Sequence, residues 1–425
     1  MRAINLKTNH LTAPLGMDAG PLFLSWQCVD GVCQTAYEIE LTANGETVWH
    51  SGKVQSAAVH ADAPTVGGSR VRGCWRVRLW DENDTPGAWS EAHFETGLAQ
   101  SDWQGEWVDP ETEEIDIPGD DAINAFARPN WERKQAEKEA AGKGATEPYK
   151  PHRPASYLRK TFTAPKGAAR LYITAKGLYA VWLNGVRVGD MVLAPGSFTG
   201  NKHIAAQTYD VTRYLRDSEN ELLVALGDGW HRSTGGVDGD RDLFGDTLGV
   251  LFQLEVDGKA VCVSDGSMQA TQCGPIRQND MQQGEVYDAR FEGSLTGWHG
   301  VRTYRDDLPI TGMNTVPILE HEAFPGKLLQ TPNGETVLDF GQNIAGYVEM
   351  ALTARAGQKV KLTCGEALDE NGNFYALGMS MSISGLIYNK DILNKYFALD
   401  GAKATSMDEI DNFDTLKAVA DDMQA

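Results

Sequence analysis

The sequence lacks the short motifs that most nucleotide-binding enzymes and serine hydrolases need. Its 425 residues contain no G-x-x-x-x-G-K-[ST] phosphate loop, no G-x-G-x-x-G dinucleotide loop and no G-x-S-x-G nucleophile turn, and the nine histidines are dispersed. These absences argue against phosphoryl transfer, against hydride transfer with a bound dinucleotide, and against hydrolysis by a serine nucleophile.

Cysteine is scarce, and long apolar runs are missing. The six cysteines form neither a CxxC pair nor a Cys/His cluster with zinc-ligand spacing. Cys28 and Cys33 flank a turn at Gly31 and could pair, but buried free thiols in a reducing compartment are the favoured interpretation. The first residues lack the apolar core of a secretory signal, and no run approaches the ~18 apolar residues of a membrane span. We therefore expect a cytoplasmic protein.

Positively charged residues are also few. Lys and Arg number 38 against 59 Asp and Glu, which gives a formal net charge of -21. Such a field repels phosphate backbones and anionic lipids, so nucleic acid and membrane surfaces are excluded as partners. A neutral ligand such as a sugar is indifferent to this charge. The oligomeric state is left open.

The main pattern in the sequence is the alternation of apolar and polar residues. In residues 1–100 it occurs in short runs separated by turn residues, which predicts a β-sandwich of the immunoglobulin or fibronectin III type. Four aromatic residues are expected to fill its core or edge: Trp26, Tyr37, Trp75 and Trp80. A sugar-binding platform is the less favoured role for them.

The remaining chain divides into three parts. Residues 101–305 predict a larger jelly-roll sandwich, interrupted at 111–153 by an acidic and then charged insertion without an apolar stripe. Residues 306–375 contain too few strands to close a sandwich alone. Residues 376–425 form a tail in which a helix is predicted over 405–423, with Ser406 and Glu409 as its capping box. The fold class is therefore all-β, with several sandwich modules and a short helical tail.

Within the second module, two motifs specify local geometry. Asn184 and Gly185 in LNGVRVGD form the favoured two-residue hairpin turn, and Asp210 or Thr212 in YDVTRYL caps a helical turn. The segment LGDGW places Asp228 and Trp230 around two glycines, so a carboxylate and an indole are expected to meet at an exposed bend.

This bend is the leading candidate for a ligand site. Sugars are bound by an aromatic face against ring C–H groups and by planar polar groups directed at hydroxyls, and the segment supplies both kinds of group. The candidate carbohydrate-binding residues are Asn184, Asp228, Trp230 and Arg232. The alternative is structural: Trp230 fills the sandwich and Asp228 caps a turn.

Two further polar clusters are candidates. Asp238, Asp240 and Asp242 alternate in a Gly-rich loop and could hold Ca²⁺, the one cofactor that the sequence suggests, although a solvated acidic loop is favoured. Asp246 lies close by, but the loop lacks the Glu that ends an EF-hand. A second cluster is expected to form a polar network that joins modules: Asp339, Gln342, Asn343 and Glu366.

Three stretches in order resemble the bacterial α-L-rhamnosidase family. They cover most of residues 1–375 and read SWQ…QTAYEIEL…CWRVRLWDEND…WSEAHFETGL, then SYLRKTF…GLYAVWLNGVRVGDMVLAPGSF…NELLVALGDGW, then DFGQNIAGYVEM…AGQKVKLTCGEALDENGNFY. The resemblance identifies 101–305 as the carbohydrate-binding-like N-terminal domain of that family and 306–375 as part of a concanavalin-like sandwich. It also implies a large (α/α)6 barrel that carries the two carboxylates of an inverting glycosidase.

The chain departs from that family pattern after Tyr375. A barrel needs about twelve helices, and the tail predicts about one, so the catalytic residues are expected in a barrel that this chain lacks. The prediction is a non-catalytic, carbohydrate-binding front part of an α-L-rhamnosidase-like hydrolase, whose partner is a rhamnose-containing glycoside or oligosaccharide. Two alternatives remain open: a stand-alone sugar-binding or scaffold module that works with a separate catalytic chain, and a truncated gene product without activity.

Overall fold

A computed structural model describes most of the chain. The described residues are 1–115, 136, 140, 152–235, 241–282, 284–293, 295–331, 334, 336–351, 353, 362, 367–368, 374–375, 390–406, 409–410 and 413–424. They divide into two compact units, Met1–His321 and Glu322–Ala425. Most of the predicted insertion at 111–153 lies outside the described residues.

The first module of the larger unit is the predicted two-sheet sandwich. One sheet has the order β1-β3-β7, and the other has the order β2-β9-β8-β4-β5 with β6 also on β4. The strands are β1 Arg2–Thr8, β2 Leu15–Met17, β3 Gly20–Val29, β4 Ala36–Ala43, β5 Glu46–His50, β6 Val54–Gln55, β7 His60–Val66, β8 Arg72–Trp80 and β9 Ser90–Thr96.

Tryptophans fill the core of this module, as the alternation predicted. Trp26 and Trp75 are 3% and 0% exposed and lie with ring centroids 6.5 Å apart. Each buried indole N–H has an acceptor, Gln34 Oε1 at 3.0 Å and Thr8 Oγ1 at 2.9 Å. A buried indole therefore loses no hydrogen bond on folding, and its large apolar area stabilises the sandwich.

The second module is a larger sandwich of seven and five strands. The larger sheet has the order β22-β10-β17-β12-β15-β23 with β18 on β17, and the smaller has the order β14-β13-β16-β11-β19. A hairpin of β20 and β21 accompanies them. The strands are β10 Trp107–Asp109, β11 Ser156–Thr163, β12 Ala169–Lys176, β13 Leu178–Leu183, β14 Val186–Arg187, β15 Ile204–Asp210, β16 Glu219–Gly227, β17 Gly249–Val256, β18 Lys259–Val263, β19 Gln269–Thr271, β20 Ile276–Asp280, β21 Gly284–Tyr287, β22 Arg302–Tyr304 and β23 Ile310–Gly312. A short helix, α1, spans Gly229–Arg232.

The central strand β17 is buried along its whole length. Val250, Phe252 and Leu254 point into the core between the two sheets. Because side chains alternate along a strand, Gln253 and Glu255 point to the opposite face, yet they are 0% and 2% exposed. That face of the sheet must therefore be covered by something other than its own sandwich.

The first module covers it. Arg70 donates to both carboxylate oxygens of Glu255, at 2.7 and 2.6 Å, and Arg170 of β12 donates in the same bidentate way to Glu95 of β9. Each module thus contributes one positive and one negative side chain to the ion pairs between them. The backbone of Gly16 in the first module also lies directly against the Thr208 side chain of the second, since a Cβ on Gly16 would lie 1.9 Å from the Thr208 hydroxyl oxygen.

The smaller unit holds less regular structure in its described residues. Two short hairpins are formed by β24 Lys327–Gln330 with β25 Thr336–Asp339 and by β26 Ala367–Leu368 with β27 Phe374–Tyr375. Helices α2 Lys390–Phe397 and α3 Phe413–Gln424 pack a small cluster around Tyr396 and Val419.

Three details differ from the sequence predictions. Residues 306–321 lie in the larger unit, because β23 pairs with β15 in the jelly-roll sheet. Helix α3 begins at Phe413 and not near Thr405, because the Glu409 carboxylate accepts hydrogen bonds from the Thr405 backbone and hydroxyl at 2.8 Å and closes a separate turn. The predicted partner Ser406 does not make this side-chain contact, and α2 was not predicted.

The cysteines are free thiols in the described residues, so Cys28 and Cys33 do not pair. Burial is uneven: Cys262 is buried, whereas Cys33 and Cys273 are exposed, contrary to the expectation of buried thiols throughout. Cys364 lies outside the described residues. Where the chain is described, no helix reaches the length and apolar character of a membrane span.

Removing one partner of the junction should destabilise the larger unit. In Glu255→Ala the Arg70 guanidinium loses its main partner in a mostly buried position, and we expect a loss of about 3 kcal/mol in the free energy of unfolding. Urea unfolding followed by tryptophan fluorescence measures this. Arg70→Met combined with Glu255→Leu is the control and should recover most of the loss. A full-sized loss in the double variant would contradict the ion-pair explanation.

Candidate functional site

The LGDGW segment turns sharply where β16 ends and α1 begins. Gly229 has φ +53, and a Cβ there would lie 2.5 Å from Leu178 Cγ, so only glycine fits. Gly227 is similarly confined, with Asn279 Oδ1 2.7 Å from its would-be Cβ. The two glycines let the chain reverse against β13 and direct Trp230 away from the core.

Trp230 lines a cleft of about 380 Å³ on the surface of the jelly-roll. We call this the aromatic cleft. It is lined by Ser197, Phe198, Thr199, Trp230, Ser233, Thr234, Gly235, Leu243, Phe244 and Met281. The three rings of Phe198, Trp230 and Phe244 also border a small inner pocket beside Lys176 and His231. The described lining offers aromatic faces and hydroxyl groups, but no carboxylate.

Asp228 and Arg232 lie beneath this cleft and not in it. They are 1% and 4% exposed, so the expectation of an exposed carboxylate at the bend is wrong. Arg232 donates from Nε at 2.9 Å and from Nη2 at 2.6 Å to Asp228 Oδ1. Burial raises the pKa of Asp228, and the charge of Arg232 opposes the rise. This pair braces the two ends of α1, between which Trp230 sits.

Arg153 connects this pair to the wall of the cleft. Its Nη1 lies 2.7 Å from Asp242 Oδ1, 3.3 Å from the Arg232 carbonyl and 3.6 Å from Asp228 Oδ2. Burial would lower the pKa of Arg153, but its hydrogen bond to Asp242 and the nearby carboxylates raise it. The guanidinium therefore stays charged and anchors the segment that carries Leu243 and Phe244.

The ion pair of Arg153 involves one of the three aspartates of the predicted calcium loop. Asp242 is a partner of Arg153, so its carboxylate serves an ion pair in this structure. Asp238 and Asp240 lie outside the described residues. Within the described residues, no group of three or more His, Cys, Asp or Glu side chains has metal-binding geometry.

Asn184 occupies the predicted hairpin turn. It has φ 55 and Gly185 has φ 79, which matches the two left-handed residues of a type I′ turn between β13 and β14. Its amide group donates to the Tyr214 carbonyl and to Asn220 Oδ1, both at 2.8 Å, and its Oδ1 accepts from the Glu221 backbone. The structure thus gives its side chain a bracing role. The predicted cap differs: Val211 occupies the N-cap position of the helical turn Thr212–Tyr214, and Asp210, one residue earlier, accepts from the Thr212 backbone at 3.0 Å.

The predicted polar network at FGQN is not formed by the described residues. Asp339 Oδ1 accepts from the Gly341 backbone at 2.8 Å, which closes a turn after β25. Gln342 and Asn343 are exposed. Glu366 lies outside the described residues, so its part in the network stays a prediction.

Three important residues were missed from the sequence. Phe198 and Phe244 come from the loops APGSFTG and RDLFGD, and Arg153 comes from the end of the charged insertion. Each loop is a Gly-containing turn with one aromatic residue, which is the only local signal that they carry. Their convergence on Trp230 depends on the sandwich topology.

Three protein-family models match the chain. Residues 3–100 match the "Rha78A-like, N-terminal immunoglobulin domain", and residues 165–325 match the "Alpha-L-rhamnosidase N-terminal domain". Residues 329–388 match the "Bacterial alpha-L-rhamnosidase concanavalin-like domain". This last match continues beyond Tyr375, where the sequence resemblance was expected to end.

Curated relatives and solved structures agree with these matches. An α-L-rhamnosidase of Formosa agariphila is 31% identical over 415 residues, covering 87% of this chain and 41% of the relative. The crystal structure of an Aspergillus terreus α-L-rhamnosidase matches with a TM-score of 0.64 at 28% identity, over 80% of this chain and 39% of that one. A Streptomyces avermitilis α-L-rhamnosidase complexed with L-rhamnose shares the fold, with a TM-score of 0.68 at 24% identity, over 88% of this chain and 52% of that one. The chain spans about 40% of the length of the curated relatives that it matches.

Acid should weaken the packing under the aromatic cleft through His231. Burial, and then the charge of Lys176, lowers the pKa of His231 from 6.5 to about 4. Between these values the unfolded chain binds the proton more readily, so stability is full above pH 6.5 and falls as the pH drops towards 4. We expect His231 to account for a loss of about 3 kcal/mol by pH 4.

Urea unfolding across this pH range, compared with His231→Gln, measures the effect. The variant lacks the titrating ring, so its stability should depend less steeply on pH. Equal slopes for both proteins would show that His231 titrates normally in the folded state.

Proposed function

Since this chain carries the N-terminal modules of the bacterial α-L-rhamnosidase family, we propose that its jelly-roll module binds a terminal sugar of a rhamnose-containing glycoside in the aromatic cleft. The observation that carries the proposal is the position of Trp230, held between two buried charges and presented with Phe198 and Phe244 to a cleft of about 380 Å³. A cleft of this size admits a monosaccharide unit.

The chemistry of the lining favours a sugar over other small molecules. Aromatic rings pack against the C–H faces of a pyranose, and the hydroxyls of Thr199 and Ser197 at the exposed rim can bond its hydroxyl groups. No charged residue is among the described residues that line the cleft, so these residues offer no ion pair to an anion or a cation. The 6-methyl group of a deoxy sugar such as rhamnose suits the apolar side chains of Leu243 and Met281.

The same lining supports binding without cleavage. Inverting hydrolysis needs two carboxylates about 6.5–9.5 Å apart on either side of the scissile bond. Asp228, the nearest buried carboxylate, is bound to Arg232 below the floor. We therefore propose that hydrolysis of α-L-rhamnosides, the activity named for the relatives, is not performed by the residues of this chain.

Titration calorimetry with L-rhamnose tests the binding proposal. Trp230→Ala removes the central ring, and we expect its affinity to fall at least about tenfold. Trp298→Ala is the matched control: this tryptophan lies elsewhere on the same module, stacked under Arg159 at 4.0 Å, and its loss should leave the affinity unchanged. Unchanged binding in Trp230→Ala would remove the aromatic cleft as the site.

The same titration addresses calcium. It should be run with added calcium and with a chelator, because an acidic loop follows the LGDGW segment in the sequence. Tighter rhamnose binding with calcium would support a metal in that loop.

Purified chain should not turn over p-nitrophenyl α-L-rhamnoside. The reason is the lack of an acid pair at the described lining of the aromatic cleft. Release of p-nitrophenolate measures the activity, and an α-L-rhamnosidase of known activity serves as the positive control. Turnover that is abolished by replacing a carboxylate of this chain would contradict the proposal.

A further inference from the structure

A second and larger cleft lies where the first module meets the jelly-roll. Its volume is about 610 Å³, and residues from both modules line it. We call it the junction cleft and define it by Arg70, Arg72 and Glu95 of the first module with Arg170, Tyr172 and Glu255 of the second. It is separate from the aromatic cleft, with which it shares no lining residue.

The hydroxyl group of Tyr172 is directed into this cleft without a partner. Tyr172 is 2% exposed, and no group among the described residues forms a hydrogen bond with its hydroxyl. Tyr179 in the same module behaves differently, since its hydroxyl donates to Gln207 Oε1 at 2.7 Å. The ring is buried while the hydroxyl oxygen opens into the cleft, so this oxygen is available to a molecule that binds there.

Burial, together with the charges of Glu255 and Glu95, raises the pKa of Tyr172. Its hydroxyl therefore stays protonated and can both donate and accept. A partner that also donates and accepts satisfies it best, and sugar hydroxyls have this property.

The charges around the cleft balance. Three guanidinium groups, those of Arg70, Arg72 and Arg170, face three carboxylates, those of Glu95, Glu255 and Asp257. An anionic or cationic ligand would disturb that balance, whereas a neutral one would not. The cleft is therefore suited to a neutral molecule.

The ion pairs also fix the geometry before any ligand arrives. Glu255 is held by Arg70 and by Gln253 Nε2 at 2.7 Å, and Glu95 is held by Arg170. Arg72 is different, because its side chain is 61% exposed and its Nε lies 3.8 Å from Glu95. Its remaining N–H groups are placed at the rim. Preorganised polar groups of this kind lower the entropic cost of binding.

We propose that the junction cleft binds a neutral, hydroxyl-rich ligand, a mono- or disaccharide, through the Tyr172 hydroxyl, the outer edges of the two bidentate ion pairs and Arg72. The ligand contacts both modules, so binding tightens their junction. This site is additional to the aromatic cleft and does not depend on it.

The experiment uses the full chain with Trp230→Ala, which removes the central ring of the aromatic cleft. Titration calorimetry measures L-rhamnose, the neutral disaccharide rutinose and the anion galacturonate. Tyr172→Phe is then added, which deletes one hydroxyl and keeps the ring. Tyr37→Phe, on the first module and outside the cleft lining, is the matched control.

We expect a neutral saccharide to bind Trp230→Ala, and Tyr172→Phe to weaken that binding about tenfold, the usual effect of one lost hydrogen bond to a buried group. Tyr37→Phe should change nothing. Amide hydrogen exchange in β12 and β17 should slow on binding, because the ligand stabilises the junction.

Three results would overturn the proposal: no saccharide binding to Trp230→Ala, equal binding with and without the Tyr172 hydroxyl, or tighter binding of galacturonate than of the neutral sugars. The first would show that Tyr172 is paired by water alone. That first result would not count against sugar binding in the aromatic cleft. Rhamnose binding that is lost in Tyr172→Phe but kept in Trp230→Ala would instead identify the junction cleft as the sugar site.

Discussion

Two bidentate ion pairs, Arg70 with Glu255 and Arg170 with Glu95, allow the central sheet of the jelly-roll to be buried on both faces. One face is an ordinary apolar core. The other carries charges whose burial would be costly if any partner were absent, and each module supplies one cation and one anion to the other. The contact between the two modules and the junction cleft both depend on this exchange.

A similar principle shapes the aromatic cleft. Asp228, Arg232 and Arg153 form a buried ionic cluster beneath it, and this cluster fixes both α1 and the segment with Phe244. The buried charged groups fix the backbone, and the aromatic rings carried by that backbone line the cleft. The two clefts thus differ in their chemistry: one is aromatic and uncharged, and the other is polar with balanced charge. The absence of charge in the described lining of the one and the balance of charge in the other are the features on which the two proposals of neutral ligands rest.

Local signals were reliable where short-range physics decides the structure. The Asn184-Gly185 turn and the tryptophan core of the first module follow from turn residues and from alternation along each strand, and the structure has both of them. Of two predictions that failed, one was decided by a neighbouring residue and the other by a distant segment. Glu409 was expected to cap a helix together with Ser406, but Thr405 engages its carboxylate and the helix starts later. Asp228 was expected at an exposed bend but is buried with Arg232, and Arg153, which completes this ionic cluster, lies 75 residues away in sequence.

The sequence by itself determined the all-β class, the order of the modules and the family. Alternation along a strand and the residues of its turns depend only on neighbouring positions in the chain, so they can be recognised without the tertiary structure. It also placed Trp230 in a candidate site. Only the tertiary structure decided which polar residues are buried. Gln253 and Glu255 alternate with apolar neighbours as solvent-facing residues do, and no local pattern distinguishes them from such residues. Their burial follows from the docking of another module, as does the cleft into which Tyr172 directs its hydroxyl.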